Sequence, residues 1–106
     1  MAKYMFEAKY TAEGVKGLVR DGGTGRRAAI EKMIASVGGR LDAVYFAFGG
    51  TDTYVIADLP DNSAAAAVAL TVAQSGKSSI KTIVLMTPEE ADAATKKAVT
   101  YQPPGG

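Results

Sequence analysis

The sequence predicts an α+β fold: a ferredoxin-like sandwich with a four-stranded antiparallel sheet and helices on one face. Two observations carry this. Four separated runs alternate apolar and polar residues with the period of a strand. The segments between them carry helical spacing and helix-capping residues. The element order is then β, broken α, β, β, α, β, α. Right-handed crossovers place the first two helical elements on the same side of the sheet.

The first strand is predicted over Lys3 to Tyr10. Tyr4, Phe6, Ala8 and Tyr10 point one way, and Met5, Glu7 and Lys9 the other. Thr11 offers a helix N-cap, with Glu13 in the first turn. The stretch Asp21 to Gly25, "DGGTG", breaks or kinks this helix, because each glycine in a helix interior costs about 1 kcal/mol relative to alanine. Thr24 is positioned to cap a second helical piece. In that piece Ile30, Met33, Ile34 and Val37 form one apolar stripe, and Gly38-Gly39 closes it.

Leu41 to Phe48 and Asp52 to Leu59 are predicted strands joined by the short loop "GGT", which reads as an antiparallel hairpin. Asp61, Asn62 and Ser63 are cap candidates for an alanine-rich helix reaching Gln74, which Gly76 ends. Ser79 to Met86 is the fourth strand. Thr87-Pro88-Glu89-Glu90 is a capping box with proline at the first helical position, and the last helix fades near Ala98. One domain over residues 1–98 is expected, followed by a mobile tail at 99–106.

Composition excludes several functions. The chain of 106 residues has no cysteine and no histidine. Thiolate chemistry, disulfides and the usual general base near neutral pH are therefore absent, as is the commonest nitrogen ligand for transition metals. No metal or cofactor is expected. A net charge of +1 gives no electrostatic footprint for nucleic acid or an anionic membrane. No apolar run approaches a membrane span and no signal peptide is evident, so a cytoplasmic protein is expected.

Both faces of the predicted sheet carry apolar residues. In strand two, Leu41, Ala43, Tyr45 and Ala47 oppose Val44, Phe46 and Phe48. In strand three, Thr53, Val55, Ala57 and Leu59 oppose Tyr54 and Ile56. In strand four, Ile80, Val84 and Met86 oppose Ile83 and Leu85. Helices cover one set only. A second copy, packed sheet to sheet, is the expected cover for the other, with the last helix folding across it as the alternative.

Five stretches resemble the GYD family of small bacterial and archaeal proteins: "YTAEGVKGL" from Tyr10, "GRR" from Gly25, "GGRL" from Gly38, "YFAFGGTDTYVIADLPD" from Tyr45 and "LMTPEEAD" from Leu85. The family's Gly-Tyr-Asp signature corresponds here to Gly50-Thr51-Asp52, so a role resting on the aromatic ring does not carry over. The resemblance implies a dimeric α+β barrel-like fold and no particular activity. The related barrel superfamily includes both small oxygenases and plain assembly modules.

Three places are candidate sites. In "GGTGRR", glycine amides, Thr24, Arg26 and Arg27 offer an anion cradle, against the plainer reading of a helix break with solvated arginines. Asp52 is a weak catalytic candidate as a proton acceptor, against an aspartate capping its own turn. Tyr4, Tyr10, Tyr45 and Tyr54 offer ring faces and hydroxyls to a ligand, against plain packing. The favoured function is a small homo-oligomeric domain that binds a small ligand or partner without catalysis. The alternatives are a cofactor-independent oxygenase or isomerase, and a purely structural assembly unit.

Overall fold

The computed structural model describes residues 1–106. It has the predicted element order: β1 Ala2–Tyr10, α1 Ala12–Ser36, β2 Arg40–Phe46, β3 Thr53–Leu59, α2 Asn62–Gln74, β4 Ser78–Leu85 and α3 Pro88–Thr95. The four strands form one antiparallel sheet in the order β2-β3-β1-β4. The first strand of the chain is therefore central, and β2 and β4 are the edges.

The core lies between the sheet and α1 and α2. Tyr4 and Phe6 of β1, Val55, Ala57 and Leu59 of β3, Ile30 and Ile34 of α1, and Ala65 and Val68 of α2 bury together. Burying side chains such as Phe6, Ile34 and Leu59 contributes about 1.5–3 kcal/mol each. The burial of β3 alternates along its whole length, as its sequence requires.

Helix α1 starts on Thr11, whose hydroxyl accepts from the Gly14 N–H at 3.3 Å. The same hydroxyl reaches the carbonyls of Gly76 and Lys77, at 3.2 and 3.1 Å, and so ties this helix start to the α2–β4 turn. The helix runs as two pieces joined at a sharp kink. Its one non-helical residue is Gly22, at φ 75° and ψ 166°, a combination that strains any residue with a Cβ. Thr24 is exposed and makes no side-chain hydrogen bond, so it does not cap the second piece; the break falls two residues earlier. At the far end Gly38 N–H bonds Ala35 O and Gly39 N–H bonds Ile34 O, both at 3.0 Å, the two bonds of a Schellman motif. Asp61 caps α2 through the Ala64 N–H. Thr87 and Glu90 form the expected capping box on α3.

The facing of β2 differs from the sequence expectation. Its pairing with β3 shifts between Leu41 and Ala43, so Asp42 is an extra residue in a bulge. Leu41 consequently shares the helix-covered face with Val44 and Phe46, and packs against the core instead of lying beside Ala43 and Tyr45.

The open face is apolar at its centre and carries charges on both flanks. One row across the sheet reads Ala43, Ile56, Met5, Ile83; a second reads Tyr45, Tyr54, Glu7, Lys81. The third row reads Arg40, Asp58, Lys3, Leu85. There Lys3 Nζ lies 2.9 Å from Asp42 and 3.1 Å from Asp58, while Arg40 reaches Asp58 at 3.2 Å. The Asp42 hydrogen bond, followed by that to Asp58, raises the Lys3 pKa. The Lys3 hydrogen bond holds the Asp58 carboxyl below its ordinary value, helped by Arg40 and opposed by burial. Helix α3 has no buried residue, so it does not cover this face as the alternative required.

Candidate functional site

The kink in α1 opens a cleft between the helices and the sheet. Its outer chamber, about 300 Å³, lies between the two halves of α1, the end of α2 and the start of β4. A narrower inner slot of about 50 Å³ continues from it over the sheet. Tyr10, Arg26, Val72 and Ser78 line both, and form the neck between them.

The slot is built from the core. Phe6, Ile30, Ile34, Val55 and Val68 supply its apolar walls. Thr53 is its buried polar group, and its hydroxyl donates to the Tyr10 hydroxyl at 3.0 Å. The Tyr10 hydroxyl makes no other hydrogen bond in the chain. The Ser78 hydroxyl likewise makes no hydrogen bond.

Arg26 stands at the neck. Its guanidinium is 3.8 Å from the Asp21 carboxylate and makes no hydrogen bond within the chain. Asp21 is also 3.6 Å from Arg20. Three cationic side chains, Arg20, Arg26 and Lys77, thus line the outer chamber against the single carboxylate of Asp21. Positive charge exceeds negative there, which suits a ligand that carries negative charge.

Asp52 braces this site without lining it. β1 and β3 pair as far as Ala8 and Thr53. Beyond that point the Asp52 N–H bonds Ala8 O at 2.9 Å, and the Asp52 carboxylate accepts from the Tyr10 N–H at 2.8 Å. The side chain continues the ladder where the main chain turns away. It therefore caps β1 rather than its own turn amides. Lys9 Nζ holds the same hairpin loop through Gly50 O at 3.1 Å.

Of the residues singled out in the sequence, Arg26 and Tyr10 meet in the cleft. Arg27 and Thr24 are exposed and line no part of it. Tyr45 and Tyr54 pair on the open face of the sheet, remote from the cleft. Tyr4 is buried, with its hydroxyl bonded to Asn62. Thr53 and Ser78 were not singled out. The available signal was a hydroxyl residue at an inward position of a strand otherwise lined by aliphatic side chains.

The family described as GYD domain matches residues 4–95, which takes in all of the fold but the first two residues of β1, and every residue of the cleft. No curated protein and no solved structure matches the chain. No helix is long and apolar enough to cross a membrane.

Proposed function

The chain belongs to the GYD domain family, and from that footing we propose that it is a small homo-oligomeric domain that holds a small molecule in its cleft without transforming it. The observation that carries the binding reading is the convergence of Arg26 with the Tyr10 and Ser78 hydroxyls at one neck. A few convergent polar groups over an apolar slot match the usual make-up of a ligand pocket. Asp52 keeps its role as a support for Tyr10 in this reading, and Arg26 is the binding residue retained from the glycine-rich stretch.

Support for self-association comes from the row Ala43, Ile56, Met5, Ile83, which no helix covers. Two copies packed face to face about a two-fold axis would bury this row against itself. The flanking rows carry both signs of charge, which gives each flank a complementary partner in the second copy. Tyr45 and Tyr54 would add aromatic surface to that contact.

Native mass spectrometry of the protein purified without denaturation tests both halves. A multimer carrying extra mass that is lost on denaturation is the expected result. A monomer at all accessible concentrations would refute the pairing of sheets.

A further inference from the structure

We propose that the cleft takes a small aliphatic carboxylate, its chain in the inner slot and its anionic head on Arg26. This rests on the ligand-binding half of the reading above and is independent of whether subunits pair.

The head is assigned by charge and by donors. Arg20, Arg26 and Lys77 surround the outer chamber with Asp21 as the one opposing group. Arg26 is the cation that also reaches the slot. Its fork matches a carboxylate with two parallel N–H donors, and its loose 3.8 Å approach to Asp21 leaves that fork available. The Tyr10 and Ser78 hydroxyls sit at the same neck and supply further donors to the same oxygens. A cationic head would meet three like charges there. A neutral head would leave the excess positive charge of the chamber, three cations against Asp21, unbalanced.

The tail is assigned by the slot. Its walls are aliphatic and aromatic, and its one polar side chain beyond the neck, Thr53, already donates to Tyr10. A polar tail would strip water from groups that the slot does not satisfy. The slot's 50 Å³ is narrow beside the 300 Å³ outer chamber, which favours a straight chain end over a ring.

The test is a titration of the intact chain with butanoate, butan-1-ol and butylammonium, followed by methyl NMR on Ile30, Val55, Val68 and Val72. Butanoate is expected to shift these methyls and to bind most tightly. Arg26→Gln is expected to weaken butanoate at least tenfold while leaving butanol affinity within about twofold, and Arg26→Lys to fall between, since lysine keeps charge but loses the fork. Circular dichroism checks that both variants fold. Butylammonium binding as tightly as butanoate would overturn the carboxylate assignment while leaving ligand binding in place, as would an unchanged butanoate affinity in folded Arg26→Gln. Silence of the cleft methyls toward all three probes would overturn the assignment and the binding reading together.

Discussion

The Asp52 carboxylate accepts the backbone N–H of Tyr10 at 2.8 Å and so extends the β1–β3 ladder with a side chain. A charged acceptor on a half-buried N–H contributes about 1.5–3 kcal/mol. Asp52→Ala should cost about that much, and Asp52→Asn less, because an amide oxygen can still accept. The check is the midpoint of thermal unfolding at fixed protein concentration, where each kcal/mol is about 4–8 °C in a domain of this size. An unchanged midpoint in Asp52→Ala would show that Tyr10 is held by other means.

Gly14 and Gly17 occupy the same helix with opposite surroundings. A Cβ on Gly14 would lie 2.1 Å from Lys77 O and 3.0 Å from the Tyr10 side chain, whereas a Cβ on Gly17 meets nothing within 4 Å. Gly14→Ala should therefore push α1 off the α2–β4 turn and destabilise by about 1–3 kcal/mol. Gly17→Ala should stabilise by about 0.5–1 kcal/mol, through helix propensity alone. Urea unfolding of the two single variants decides it, and a Gly14→Ala protein as stable as the parent would contradict the close packing.

The Lys3–Asp58 pair sets a pH window. Asp58 titrates below its ordinary 3.8, so its contribution is present above that value and lost as pH falls through the lowered one. Lys3 titrates above 10.5, so its contribution is present below that value and lost as pH rises through the raised one. Between roughly pH 4 and 10.5 this pair should leave stability flat. Urea midpoints at pH 7, 4 and 2.5 should fall on the acid side in the parent. In Asp58→Asn that fall should be shallower, and an equally steep one would remove Asp58 from the account.

Ile83 lies at the β4 end of the uncovered apolar row and makes no part of the buried core. Under the proposed pairing of sheets, Ile83→Lys should give monomers without unfolding the subunit, as read by sedimentation velocity beside circular dichroism. A variant that stays multimeric would move the interface to another face.

What the sequence disclosed was the local pattern. Alternation in β3, the caps at Thr11 and Thr87, and the glycine kink in α1 are all short-range signals, and the structure carries each of them. The bulge at Asp42 was not legible, since one extra residue in a strand leaves no mark until the strand meets its partner. For the same reason Leu41 was placed on the wrong face. Asp52 reads as a turn residue in isolation, because its acceptor role depends on Tyr10, which is brought to it only by sheet pairing. Half of the candidate site was visible in Arg26 and Tyr10. The hydroxyls of Thr53 and Ser78 join them through tertiary contact alone.

The central position of β1 has a consequence for how the protein is made. Lys3 pairs with Leu85, and Tyr10 with Ser78, so strands near opposite ends of the chain are sheet neighbours. During synthesis the β2–β3 hairpin and its bond to β1 can form early, but one flank of β1 stays bare until the ribosome has released β4. Until then the floor of the slot is missing Ser78 and Ile80. A nascent chain stalled before Ser78 should therefore expose β1 to whatever strand or chaperone comes first.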